Sequence, residues 1–293
     1  MEEKMTDNSA VVQPGSKLDA FLKLALVGKA EKTVQSYTVQ LRKFKNYLED
    51  SGTSLEEPLT RMDVQQYLTT LSRQGYKASS VHLAFNTIRA FARWTQQVSA
   101  VQNIRVVKPI SVLQWTPQSL ERKVRNRLLR RVEQSGSLRN IAMITLLLYG
   151  GLRVGELVAL NVRDVELKRG GLVYVHAGKG NRDRIVPTTA EVRTRVQEYL
   201  ASRAPFSVDE PLFLSHRKRR ISIRAVEFMV KTLDPDLHPH QFRHTFVRGL
   251  LDQGVDLVTV AKLAGHQDLN TTRAYATPTL KNMADAMERL YTD

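Results

Sequence analysis

Pro239-His240-Gln241-Phe242-Arg243, then Ala264-Gly265-His266, then Tyr275, nine positions after that histidine, make up the stretch that decides how this chain is read. Pro239 suits the first turn of a helix, where its missing N–H costs nothing, and Gly254 is a natural stop for that helix. A second predicted helix, Leu257 to Ala264, ends at Gly265 and leaves His266 just past its end; Asn270 is the expected cap of a short third one. His240, Arg243 and His266 are three positive or hydrogen-bonding donors upstream of a single phenol. A phosphodiester oxygen in transit needs such fixed donors around it. The set reads as a nucleophile with an anion cradle.

A second arginine belongs with it. Tyr149-Gly150-Gly151-Leu152-Arg153-Val154-Gly155-Glu156-Leu157 breaks an apolar helix at two glycines and restarts it at Arg153, with Glu156 one turn on to hold the guanidinium. A lysine joins them on a predicted β-hairpin. Leu172 to Ala177 alternates, Ile185 to Val186 is a short apolar run, and Gly178-Lys179-Gly180-Asn181-Arg182 is the Gly-rich turn between them, which puts Lys179 at a tip from which it can reach a substrate.

The order Arg153, Lys179, His240-x-x-Arg243, Gly265-His266, Tyr275 resembles the tyrosine site-specific recombinases of the phage-integrase family, in their Xer-like or transposon-encoded resolvase form. Gly150-Gly151 stands where Thr-Gly is common, and Ala264-Gly265-His266 where Leu-Gly-His is usual; neither change touches a charged position. The resemblance implies a mainly α fold with a small antiparallel sheet, arranged as a two-domain C-shaped clamp on DNA. It implies strand cleavage by Tyr275 through a 3′-phosphotyrosyl link, rejoining through a Holliday junction, and no metal or other cofactor. Arg153 and Arg243 would bind the non-bridging phosphate oxygens and His266 would donate to the phosphate. His240 would be an acceptor or base near the phenol, Lys179 a general acid, and Glu156 a support for Arg153. Double-stranded DNA with paired inverted sites is the implied partner, held by a homotetramer that exchanges C-terminal tails.

Composition agrees with a polyanionic partner. Lys and Arg number 44 against 29 Asp and Glu in 293 residues, a net charge of +15, and an excess of this size favours binding that releases condensed counterions. There is no cysteine, which excludes disulfides, thiolate nucleophiles and Cys-ligated zinc and fits a reducing bacterial cytoplasm, at the nucleoid when DNA is bound. Met1 to Val12 is polar and acidic, without the apolar core of a secretion signal, and no run reaches membrane-spanning length.

Along the chain, residues 1–13 read as a flexible lead-in and 14–98 as a four-helix core-binding domain. Leu18, Phe21, Leu22 and Ala25 share one face; Thr33 is the expected cap of a helix carrying Tyr37, Leu41, Phe44 and Leu48; Thr60 starts a third helix and Ser79-Ser80 a fourth. Lys43, Lys45, Arg89 and Arg93 on their polar faces are candidate DNA contacts. Residues 99–117 read as the interdomain linker, 118–275 as the catalytic domain, opening with a helix from Gln118 to Glu133, and 276–293 as a tail. In the catalytic domain, Arg182 and the run His216-Arg217-Lys218-Arg219-Arg220 supply further candidate phosphate contacts in Arg217, Arg219 and Arg220. In the tail, Leu280, Met283, Met287 and Leu290 form an apolar seam. A type IB topoisomerase, a DNA-binding regulator without catalysis and a metal-dependent nuclease built on His238, His240 and His244 are the other functions the residues leave open.

Overall fold

A computed structural model describes residues 16–107, 118–176 and 183–276, together with Ala284, Met287 and Glu288. They fall into two compact units, one before and one after the 108–117 segment.

The first unit is helical. Helix α1 (Lys17–Ala20) widens into a π turn (Phe21–Ala25) and is followed by α2 (Glu31–Asp50), α3 (Arg61–Arg73), α4 (Ala78–Trp94) and a 3-10 turn (Val98–Val101). Leu41, Phe44, Leu48, Val64, Leu68, Ile88 and Phe91 fill its core, as the 3.6-residue spacing of apolar positions requires. Thr60 caps α3 in a reciprocal box with Asp63: its hydroxyl accepts the Asp63 N–H at 3.2 Å and its own N–H donates to the Asp63 carboxylate at 2.8 Å. Thr33 does not cap α2. The helix opens three residues earlier, after an extended Ala30, because Val34 already packs on the core and draws the preceding turn into the helix. Ala100 and Val101 are buried in this core and Ile104 and Val106 pack against it, so the stretch expected to begin the linker starts as part of this unit.

The second unit is built around α6 (Leu138–Tyr149), in which Ile141 through Leu148 are all buried. A helix apolar on every side needs cover on every side, and α5 (Arg122–Gln134), α8 (Ala190–Ser202) and α10 (Pro239–Asp252) supply it. Helix α5 begins four residues after the expected Gln118, since the Leu120 N–H donates to the Thr245 hydroxyl of α10 at 2.8 Å and holds the entering chain extended. Strands β1 (Leu172–Val175) and β2 (Arg184–Pro187) pair antiparallel with Val173 opposite Val186 and Val175 opposite Arg184. Val173, Val175 and Val186 face the core. The remaining helices are α7 (Val154–Ala159), α9 (Ile223–Leu233), α11 (Leu257–Ala264) and α12 (Leu269–Arg273). Asp268, not Asn270, caps α12, accepting the Asn270 N–H at 2.9 Å. Among the described residues no helix is long and apolar enough to cross a membrane.

Candidate active site

Three arginines meet at the C-terminal end of α11. The last carbonyls of a helix have no intrahelical partner and sit at the negative end of its dipole. Here they point at guanidinium groups: the Leu263 carbonyl accepts from Arg184 at 3.0 Å, the Ala264 carbonyl from Arg243, and the Gly265 carbonyl from Arg153 at 2.8 Å. Gly265 makes this possible by turning left-handed at φ +66°; a β-carbon there would lie 2.9 Å from the Arg184 side chain.

Glu156 ties two of the three together. Its carboxylate accepts from Arg153 Nη1 and the Arg153 N–H, both at 2.7 Å, and takes both Arg184 Nη atoms at 2.8 Å. Burial opposes ionisation of Glu156, but the hydrogen bonds and charges of Arg184 and Arg153 win and hold its pKa down to about 2. Arg243, 4% exposed, also donates to the Gly151 carbonyl at 2.8 Å. Burial first, and then the charge of Arg153, bring its pKa down to about 9. Gly151 has φ +61° and the Phe246 ring of α10 lies against it, 2.2 Å from where a β-carbon would stand, so the double glycine lets the chain turn under α10 and present Arg153 at the start of α7.

The phenol lies in the same place. Tyr275 is 5% exposed, packed with Val247, Val260 and Ala264, and its carbonyl accepts from Arg248 at 3.1 Å. The His266 ring stacks near Tyr275 with centroids 6.3 Å apart, while His266 Nδ1 is 2.7 Å from the Thr272 hydroxyl. Burial raises the Tyr275 pKa and the charge of Arg243 opposes that rise. Burial and the charges of Arg243 and Arg153 lower His266 to about 4. A buried phenol beside a histidine and within the field of a buried arginine is an arrangement suited to nucleophilic attack on an anionic ester.

Residues 118–281 match the phage integrase family, and residues 18–98 match the phage integrase N-terminal SAM-like domain. The chain belongs to the phage integrase family. It is 34% identical over 274 residues to the tyrosine recombinase XerA of Thermococcus kodakarensis, covering 91% of this chain and 92% of that one. It is 28% identical over 271 residues to the TnP I resolvase of Bacillus thuringiensis, covering 89% and 95%. Its fold is similar to that of the XerH site-specific recombinase bound to difH substrate, with a TM-score of 0.71, 20% identity, and coverage of 94% and 85%. This phage integrase family member is a tyrosine recombinase, a site-specific enzyme that cuts and rejoins DNA; a topoisomerase-like or non-catalytic function is not favoured.

The two histidines of α10 lie on successive turns. His240, expected next to the phenol, sits exposed on the first turn of α10, and His244, one turn further in, is the residue on the phenol: its Nδ1 is 2.5 Å from the Tyr275 hydroxyl oxygen. The His240 and His244 rings are 6.4 Å apart. The signal for His244 was visible in the sequence as its four-residue spacing from His240; what was missing was where Tyr275 would land. Arg184 had no sequence signal, since only strand pairing with Val175 brings it to Glu156. Lys179 and Arg182 lie outside the described residues.

The candidate DNA contacts are spread over both units. In the first, Lys43 lies over the Tyr76 ring at 5.3 Å, Lys45 pairs with Glu49 at 3.5 Å, Arg89 donates to Asn86 at 2.9 Å, and Arg93 is exposed on α4. In the second, Arg217 and Arg219 are exposed. Arg220 differs from them, because its guanidinium donates to the Val158, Ala159 and Leu160 carbonyls at 2.8, 2.7 and 3.0 Å and to Asn161 at 2.6 Å. That bonding closes the C-terminal end of α7 and makes Arg220 part of the framework.

Proposed function

We propose that Tyr275 attacks the scissile phosphorus in line, forming a 3′-phosphotyrosyl bond and releasing a 5′-hydroxyl. The observation that carries this is the phenol's position, buried against His244 and His266 and within the field of Arg243. Arg153 and Arg243 bind the two non-bridging oxygens. Among the described residues each guanidinium engages two of its five N–H groups on protein acceptors, and the planar fork gives a phosphate paired bonds that lysine could not. His266 donates to the same phosphate and is steadied by Thr272. His240, on the exposed first turn of α10, contacts the DNA backbone beside it. Lys179 protonates the leaving 5′-oxygen. Glu156 is a positioning residue for Arg153. The ester keeps the energy of the broken bond for rejoining, so the reaction runs without metal or nucleotide.

The first unit acts as the core-binding domain, with Lys43, Lys45, Arg89 and Arg93 on phosphates, and the catalytic unit adds Arg182, Arg217 and Arg219. Paired inverted sites are joined in a homotetramer through a Holliday junction, at the nucleoid of a bacterial cell. The tail reaches a neighbouring copy. Met287 is 57% exposed, and Ile185, Val258 and Leu269, each about half exposed, rim a cavity of about 820 Å³ beside His266 whose lining also includes Asp183, Lys262 and Gln267.

The test is covalent capture. Full-length protein is incubated without divalent metal with a random-sequence duplex library carrying a nick, and DNA that stays attached through denaturation is recovered and sequenced. Wild type should yield an enriched inverted-repeat site and Tyr275→Phe none. An adduct that survives in Tyr275→Phe refutes the assignment.

A further inference from the structure

Proton removal from the phenol needs an acceptor, a role expected of His240, which lies one turn of α10 away from the residue bonded to the phenol. An ordinary phenol has a pKa of about 10, so only about one in a thousand is ionised at pH 7, and burial pushes Tyr275 the wrong way. Of the three histidines around the site, His266 has its Nδ1 on Thr272, and His240 lies on the solvent side of the His244 ring. His244 alone of these three has a nitrogen bonded to the phenolic oxygen, at 2.5 Å, with the two rings tilted at 46° and centroids 5.5 Å apart.

We propose that His244 is a catalytic residue that takes the Tyr275 proton as the phenol attacks phosphorus, and returns it when the strand is rejoined. The inference rests on Tyr275 being the nucleophile. Burial, followed by the charges of His240, His238 and Arg243, lowers His244 to about 4, so the imidazole is neutral. The hydroxyl donates to Nδ1, which fixes the neutral tautomer with its proton on Nε2. In the forward step the Oη–H bond breaks and its proton goes to Nδ1, the Oη–P bond forms, the P–O5′ bond breaks, and the leaving oxygen receives its proton from the general acid on the other side. Religation reverses each transfer. A resting imidazole of low basicity suits this only because DNA changes the balance. The scissile phosphodiester places an anion against the same cations that depress His244, which restores its basicity, and the phenol becomes more acidic as its oxygen bonds to phosphorus.

The experiment uses full-length protein and the duplex recovered by covalent capture, in single-turnover cleavage. In His244→Asn the side-chain oxygen stands where Nδ1 stood; it keeps the phenol's hydrogen bond and cannot hold the proton. We expect adduct formation to fall by about 10² to 10⁴-fold in this variant and in His244→Ala, with added imidazole recovering His244→Ala by about tenfold or more. A 5′-bridging phosphorothiolate duplex, whose leaving group needs no acid, should not recover either variant. Cleavage by His244→Asn at or above the wild-type rate, or full recovery on the phosphorothiolate, overturns the proposal. For the wild-type protein, ¹⁵N NMR of the imidazole should show an unprotonated Nδ1, whatever the folding of the variants; a neutral ring protonated at Nδ1 overturns it too. Loss of adduct in Tyr275→Phe with full activity in His244→Asn would remove His244 alone, whereas adduct in Tyr275→Phe would remove the nucleophile.

Discussion

Glu156→Gln should separate the electrostatic framework of this site from its chemistry. The carboxylate binds Arg153 and Arg184, and Arg243 lies within its field. Glutamine offers one acceptor oxygen and turns an amide toward guanidinium donors, so the variant leaves three cations facing one another. The size of the loss follows from acidity: a pKa held at about 2 against an ordinary 4.5 corresponds, at about 1.36 kcal/mol per unit, to about 3 kcal/mol. For a unit of this size that lowers the melting temperature by about 6 to 12 °C. The sign with pH is fixed. A depressed carboxylate pKa stabilises the fold fully above the unfolded value near 4.5, and the stabilisation is lost as pH falls through the folded value near 2. Urea unfolding of wild type and variant should therefore differ by about 3 kcal/mol at pH 7, with the gap closing between pH 4.5 and 2. A gap under about 1 kcal/mol at pH 7, or one that stays constant down to pH 2, would refute the reasoning.

Three further outcomes are expected. Gly151→Ala puts a β-carbon into the Phe246 ring at a left-handed φ; backbone strain of about 1 to 2 kcal/mol and overpacking of about 1 to 3 should together appear in denaturant midpoints, with loss of covalent adduct as Arg243 loses its carbonyl. Arg220→Ala should destabilise the catalytic unit by about 1 to 3 kcal/mol without changing the salt dependence of duplex binding, whereas Arg217→Ala and Arg219→Ala should leave stability unchanged and each reduce the log–log salt slope by about one in a titration from low to moderate salt. Thr272→Val keeps the volume of a fully buried side chain but removes the hydroxyl on His266; adduct formation should drop while the melting temperature moves by only a few degrees, and an unchanged cleavage rate would show that His266 needs no such anchor.

Much of this molecule was legible in its residues. Periodicity located α3, α6, α10 and α11, because the spacing of Val64, Tyr67 and Leu68 or the apolar run 141–148 is a property of neighbours three and four apart. The Pro239 and Gly265 boundaries could be read for the same reason, as could the pairing of Arg153 with Glu156. Errors gathered at helix ends. Thr33 and Asn270 are good caps displaced by a packing contact or by a better-placed neighbour, and the helix expected at Gln118 is delayed by the hydrogen bond that Leu120 donates to Thr245, 125 positions away.

By itself the amino-acid order determined the chemical types present, two arginines, a lysine, two histidines and a phenol in a fixed succession, and the amphipathic helices that carry most of them. Tertiary structure alone decided which groups touch. Arg184 reaches Glu156 across 28 residues, Arg243 reaches Gly151 across 92, Arg153 reaches Gly265 across 112, and Tyr275 chooses His244 over His240. Those choices depend on how β2, α10 and α11 pack, so that the unpaired carbonyls at one helix end collect cations from three distant segments. No pattern confined to neighbouring residues encodes that convergence.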